Sequence, residues 1–250
     1  MIYIIILLIL LVVLGWFYFQ YDVKETSFLD KQYIPKIIIQ TWKSQNIPTK
    51  YSTLVDSIKS KNPEYEYKFF TDEDIELFLK TNYPDYYDTY QKIPIIIQKI
   101  DFFRYIAVYH YGGIYMDLDM NGLTNMDTLL KHEVVFPVDE YITEQHSGQS
   151  RYKPYYDNNQ KFLLGQYAFA AAPKHAFIKE LIDNIHNNIH KLIKTVNHNN
   201  DEYVYKTTGP DYVTDIYMKS SHKSVVFILD NGKRQYFGDY AQHKYFGSWK

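Results

Sequence analysis

The amino-acid sequence predicts an α/β domain, built on an open and mostly parallel sheet, behind a membrane-spanning helix. Three observations carry that reading. Strand-like and helix-like segments alternate along the chain, the order that buries a sheet between layers of helices. The first strand-like segment is a continuous β-branched run, as expected of a strand covered on both faces. Residues 1–19, MIYIIILLILLVVLGWFYF, carry no charged side chain. A helix of that length covers about 28 Å, close to the hydrocarbon core of a bilayer.

The elements follow in chain order. The apolar run ends in Trp16, Phe17, Tyr18, Phe19 and Tyr21, the arrangement of an interfacial aromatic belt. A cleaved signal peptide needs a basic start, a shorter apolar stretch and small residues at its end. None of these is present, and a buried core helix is the other reading. Lys24 and Lys31 follow the run, so the positive-inside rule alone places the next segment in the cytosol. The chain is therefore expected to divide into an anchor over 1–21, a short stem over 22–32 and one domain over 33–250. Residues 33–42 (YIPKIIIQTW) read as the first core strand. Thr49–Lys61 reads as a helix and residues 65–70 alternate as a second strand. The Thr71 hydroxyl can then cap a helix that opens with Asp72, Glu73 and Asp74. Pro94 suits the first turn of a helix over 95–110, which Gly112-Gly113 stops. A short strand is expected over 114–117, and others over 133–138, 167–172 and 225–229. Helices are expected over 174–194 and Pro210–Lys219.

Charge and cysteine content exclude several functions. Across 250 residues, 27 Lys and Arg face 29 Asp and Glu, for a formal net charge of −2. That balance argues against a protein that holds nucleic acid by its overall field. Cysteine is absent, which removes disulfide scaffolds, thiolate metal sites and cysteine nucleophiles.

The helix over 95–110 is apolar nearly all round and so must be buried, yet it carries Gln98, Asp101 and Arg104 at successive i, i+3 steps. These form one narrow polar stripe. Taken alone, the stripe is either an internal Asp101–Arg104 ion pair or the edge of a pocket for a polyhydroxyl ligand. The segment that follows, YGGIYMDLDM, ends in Asp117-Leu118-Asp119. On an extended strand, carboxylates at i and i+2 share a face. At the carboxyl edge of a parallel sheet they would point into the ligand crevice and take a hard divalent cation bridging a diphosphate. An Asp-x-Asp by itself is weak, since solvated turns are its commonest home. Trp42, just past the first strand, reads as a base-stacking platform or a core residue. His243, in the C-terminal run QHKYFGSW, reads as a metal ligand or a surface residue.

These stretches resemble the family 32 glycosyltransferases, which include fungal Golgi α-mannosyltransferases, α-galactosyltransferases and bacterial capsular sugar transferases. The family is distantly similar to the glucosylating domain of large bacterial toxins. The matching segments are IPKIIIQTW (34–42), KIDFFRYIAVYHYGGIYMDLDM (99–120), TGP (208–210) and HKYFGSW (243–249). The resemblance implies a GT-A fold and a metal-dependent, retaining transfer of a hexose. The donor would be a nucleotide-sugar, GDP-mannose or a UDP-hexose, and the acceptor a glycan or glycolipid. It also implies that Asp101 and Arg104 hold donor-sugar hydroxyls, that Asp117 contacts ribose and sugar, and that Asp119 and His243 ligate the metal. Ser248 and Trp249 would lie near the diphosphate, and Trp42 would stack on the nucleobase. The chain departs from the family pattern at Ile39 and Lys244, where the family usually has His, and at Tyr245, where it usually has Trp.

Mn²⁺ is expected over Mg²⁺, because an imidazole in the ligand set disfavours Mg²⁺; either would act as a Lewis acid on the leaving diphosphate. No residue stands out as a covalent nucleophile. Two other classes remain open from the sequence. A glycoside hydrolase also uses two carboxylates, but across the scissile bond and without metal. A membrane-anchored sugar-binding relic would explain the departures at Ile39 and Lys244 as lost turnover. The resemblance favours a type II protein with its domain in the Golgi or endoplasmic reticulum lumen. The absence of Cys, and of any Asn followed two positions later by Ser or Thr, points gently the other way.

Overall fold

Strand β1 (Ile37–Thr41) is buried along nearly its whole length, and its isoleucines divide between two cores. Ile39 faces one apolar cluster with Tyr115, Phe136 and Phe169, while Ile38 faces the other with Ile114, Val135 and Ala170. That period-2 division, repeated in each central strand, sets the sheet between two packed layers. In the computed structural model, which describes residues 11–18, 31–194, 201–230 and 233–247, β1 pairs in parallel with β2 (Glu66–Phe70) and β3 (Gly113–Met116). Antiparallel to β3 lies β7 (Ala168–Ala171), followed by β5 (Val134–Tyr141). β5 carries β6 (Phe162–Leu164) antiparallel and β8 (Val226–Leu229) in parallel. The sheet is thus mixed: β1, β2, β3, β5 and β8 point one way and β6 and β7 the other. The expectation of a mostly parallel sheet holds for the first group and is corrected by the second.

Helix α2 (Thr49–Lys61) lies on one side of the sheet, and α5 (Ile96–Tyr111) and α7 (Ala176–Lys194) pack on the other. The buried face of α7 runs through Phe177, Leu181, Ile185, Ile189 and Leu192, the spacing of a one-sided helix. Helix α3 (Asp72–Asn82) starts at the expected cap. The Thr71 hydroxyl accepts the Asp74 N–H at 3.2 Å, and an Asp74 carboxylate oxygen accepts the Thr71 N–H at 2.9 Å. Pro94 falls outside α5, which begins after an extended Ile95; the expected first-turn proline instead directs the chain into the helix. Helix α4 (Pro84–Lys92) had no expectation, because its Tyr-rich sequence lacks an apolar period. The short α6 (Lys153–Asp157) and α8 (Asp201–Thr207) went unexpected for the same reason, whereas α9 (Pro210–Lys219) keeps the expected bounds.

Two glycines join α5 to β3. Gly112 and Gly113 have φ of +69° and +93°, a region that side chains other than glycine rarely enter. A Cβ on Gly113 would lie 2.5 Å from the Ile37 carbonyl oxygen, so β1 approaches β3 closely only because no side chain stands there. Gly113→Ala is expected to destabilise the domain by roughly 2–3 kcal/mol or more, read as a lower urea midpoint.

A second, smaller sheet controls the C-terminus. Strand β10 (Ala241–His243) lies antiparallel between β4 (Met120–Gly122) and β9 (Tyr236–Phe237), with His243 opposite Met120. This register sets a residue from the end of the chain beside Asp119. The chain divides into two compact units, Met1–Gln32 and Tyr33–Lys250. Within the first, residues 11–18 are helical (α1) and exposed. Among the described residues no helix is long and apolar enough to cross a membrane. The rest of the expected anchor lies outside the described residues, as do nearly all of the stem and the site candidates Ser248 and Trp249.

Candidate active site

The polar stripe of α5 lies at the centre of a buried network. Asp101 and Arg104 are 1% and 2% exposed, and the Arg104 guanidinium reaches Asp101 and Asp117 at 3.2 Å each. The ion pair and the pocket edge are therefore not alternatives, because Arg104 is the link between them. Asp101 accepts from the Thr208 hydroxyl at 2.7 Å and from the Gln166 amide at 3.0 Å. Arg104 also donates to the Gln166 carbonyl at 3.0 Å and lies over the Tyr115 ring. Tyr105 donates to the Thr208 carbonyl at 2.7 Å and to the Gln166 side chain. Engaging both terminal nitrogens of a buried guanidinium in this way is what makes its charge tolerable.

The Asp-x-Asp segment is a turn and not the expected extended strand: β3 ends at Met116, and the Met120 N–H donates to the Asp117 carbonyl at 3.1 Å. The turn buries Leu118 against Tyr51 and Val55 and still presents both carboxylates to the same cleft. Tyr115 donates to Asp117 at 3.0 Å, while the Gln40 side-chain amide donates to the Asp117 backbone carbonyl at 3.1 Å. Asp119 accepts the Phe246 N–H at 2.8 Å and faces His243 Nε2 at 3.1 Å. The His243 ring stacks on Tyr167 with centroids 4.8 Å apart.

These contacts divide the titrations. Burial pushes Asp101 up to about 6 against the pull of Arg104, and burial likewise raises Asp117. Asp119 goes the other way, because the hydrogen bond and charge of His243 outweigh its burial. The same pair holds His243 above the ordinary imidazole value, although burial opposes it. The donor set suits a divalent cation. Asp117, Asp119 and His243 each offer a ligand atom, and these atoms lie within 4.8 Å of one another. Two carboxylates and one imidazole form a mixed oxygen and nitrogen set that suits Mn²⁺.

The carboxylates and His243 open on a cleft of about 440 Å³, whose other wall is Trp42, Tyr51 and the Ile95–Ile97 edge. The Trp42 ring packs at 4.6 Å from Tyr51. Among the described residues, the buried side-chain atoms without a hydrogen-bond partner are Trp42 Nε1, Gln98 Oε1 and Arg104 Nε. Such groups each cost about 1–3 kcal/mol when left unmade; all three belong to the polar stripe or the cleft. A second cavity of about 120 Å³ adjoins the first and shares Arg104, Asp117 and His243 with it.

The structure thus gathers Trp42, Arg104, Asp117, Asp119 and His243 around one cleft, with Asp101 behind Arg104 on the wall of the adjoining cavity. Several participants carried no expectation. Thr208 lay in a matching motif without a role, and its hydrogen bond to Asp101 supplies one. Gln166 and Tyr115 had no sequence signal, since nothing in their neighbourhoods marks the side chains as facing a distant helix or cavity.

Two carboxylates and an imidazole thus converge beside an aromatic-walled cleft at the carboxyl end of a central strand. The fold agrees. The structure is similar to PaToxG glycosyltransferase, with a TM-score of 0.51 at 16% identity, over 81% of this chain and 78% of that one. It is also similar to the UDP-bound glycosyltransferase domain of the YGT toxin, with a TM-score of 0.52 at 9% identity, over 79% and 80%. Residues 48–136, which contain Asp101, Arg104 and the Asp117–Asp119 turn, match the family described as "Glycosyltransferase sugar-binding region containing DXD motif". It is 30% identical over 226 residues to inositol phosphoceramide mannosyltransferase 1 of Schizosaccharomyces pombe, covering 86% of this chain and 63% of that protein. It is 34% identical over 116 residues to the initiation-specific alpha-1,6-mannosyltransferase of Candida albicans, covering 44% and 27%. The chain thus spans less than two thirds of the length of these curated relatives.

Proposed function

We propose that the domain transfers a hexose, with retention of anomeric configuration, from a nucleotide-sugar to a hydroxyl of a glycan or glycolipid. The observation that carries the reading is the convergence of Asp117, Asp119 and His243 within 4.8 Å at the mouth of a cleft walled by Trp42. Asp119 and His243, with Asp117, would hold a divalent cation, which when bound supplies Lewis-acid charge next to the leaving diphosphate. Trp42 stacks on the nucleobase and Asp117 contacts ribose and sugar. Asp101 and Arg104 orient the sugar hydroxyls from the buried stripe; being locked in place, they spend no reorganisation at reaction. The acceptor oxygen bonds to the anomeric carbon as the carbon–oxygen bond to diphosphate breaks. The electron pair stays with the diphosphate, which also takes the hydroxyl proton. The relatives, named as mannosyltransferases, favour mannose as the sugar and an inositol phosphoceramide or a glycan as the acceptor. The apolar run over 1–19 supports an anchor that keeps the domain at a membrane where a lipid-linked acceptor resides.

Slow hydrolysis of a donor panel tests the function. GDP-mannose and the UDP-hexoses are incubated with the protein and Mn²⁺, with or without EDTA. One donor should release free sugar, and EDTA should stop it. Hydrolysis indifferent to EDTA would favour a hydrolase, and binding without release from any donor a relic. Trp42→Ala should raise the donor KM about 5- to 100-fold, the value of one base–aromatic stack, with a smaller change in kcat.

A further inference from the structure

The smaller cavity contains a carboxylate that the site described so far does not use. Asp139 follows the buried run of β5 and lines this cavity, and among the described residues its side chain accepts no hydrogen bond. Besides Arg104, two guanidinium groups line the same space, each fixed from behind. Arg151 Nε donates to the buried Asp211 at 2.9 Å, and its guanidinium lies over the Tyr205 ring at 4.1 Å. Arg234 Nε pairs with a Glu140 carboxylate oxygen at 2.8 Å, and its other nitrogens meet no protein acceptor among the described residues. Tyr167, Tyr205 and Tyr245 complete the wall.

The charge count selects the ligand class. Three guanidinium groups, Arg104, Arg151 and Arg234, line the cavity with Asp101, Asp117 and Asp139, and Glu140 and Asp211 stand behind two of the arginines, so the cavity has no excess positive charge to hold a phosphate. A neutral ring bearing several hydroxyls suits it better. Each hydroxyl donates to a carboxylate while accepting from an arginine N–H, and the carbon face of the ring packs on tyrosine. The wall shared with the large cleft, at Arg104, Asp117 and His243, brings such a ring against the place where the transferred sugar would lie. We propose that this cavity is the acceptor subsite, that it takes one uncharged cyclic polyol ring, and that Asp139 receives a ring hydroxyl. The proposal rests on the transferase reading above.

Saturation-transfer NMR on the full chain tests it, with methyl α-mannoside, methyl α-glucoside and myo-inositol as probes in saturating GDP or UDP and Mn²⁺. At least one probe should be saturated at its ring protons, and inorganic phosphate at equal concentration should not displace it. Asp139→Asn keeps the volume, and Arg234→Ala removes the exposed guanidinium; each should weaken that probe at least fivefold, with a thermal midpoint near that of the parent. Nucleoside diphosphate binding without binding of any probe overturns this proposal and leaves the transferase reading standing. Probe binding that survives Asp139→Asn at full strength places the ring in the donor-sugar site and overturns it too, as does displacement by phosphate. If neither GDP nor UDP binds with Mn²⁺, the transferase reading falls and this proposal with it.

Discussion

Asp119→Ala is expected to lower kcat for sugar release about a thousandfold while the domain stays folded. Asp119 is the one carboxylate in the site held below its ordinary value, because His243 and the Phe246 amide both address its charge. A ligand that is already ionised and already oriented toward an imidazole needs no further preparation to receive a cation. Removing it leaves Asp117 and His243, too few protein ligands to hold Mn²⁺ well. The structural cost is smaller. The Phe246 N–H and the His243 ring lie at a cleft that water can enter, so the loss should be about 1–2 kcal/mol, seen as a few degrees in Tm. Wild-type turnover in the variant would remove Asp119 from the metal site.

Arg104→Ala is expected to have the largest effect on stability, a loss of about 3–5 kcal/mol. The guanidinium is the shared counter-charge of Asp101 and Asp117, each 3.2 Å away, and also ties Gln166 to the stripe. Without it, two carboxylates in one buried neighbourhood repel each other. The loss should depend on pH with a definite sign. Asp101, already raised to about 6 by burial, binds its proton more tightly folded than unfolded. Its ionisation therefore costs stability, and that cost is relieved as pH falls through about 6 towards the unfolded value. In the variant both carboxylates should rise further, so the gap to the parent in urea should narrow between pH 8 and pH 5. A gap that widens on acidification would contradict this account. Arg104→Lys should recover part of the stability but little of the activity, since an ammonium is a point charge and cannot reach both carboxylates and the Gln166 carbonyl with fixed geometry.

The sequence made some of this legible and hid the rest for identifiable reasons. α5 was legible because a polar stripe on an otherwise apolar helix has no cheap explanation, and Gly112-Gly113 because a helix stop feeding a strand leaves few residue choices. The α3 cap, α9 and the central strands followed from local chemistry. The reversal of β7 was not legible, because an apolar strand buried on both faces reads the same in either direction. The turn at Asp117–Asp119 was missed because i, i+2 carboxylates converge on a strand and in a tight turn alike. His243 taken alone read as a metal ligand or a surface residue, and the resemblance favoured the first; what puts it at Asp119 is the pairing of β10 with β4, a contact across more than a hundred residues. Asp139 lies at the end of the same kind of problem, its role depending on two arginines that approach from other segments.

The central claim is that Asp117, Asp119 and His243 form one cation site that works together with a nucleoside diphosphate. Titration of free Mn²⁺ by electron paramagnetic resonance, with and without GDP or UDP, tests it most directly. The protein should remove about one equivalent of free Mn²⁺, one of the two nucleotides should tighten this binding, and Asp119→Ala should abolish the nucleotide-dependent part. Equal Mn²⁺ uptake by the parent and by Asp119→Ala, unaffected by either nucleotide, would contradict it.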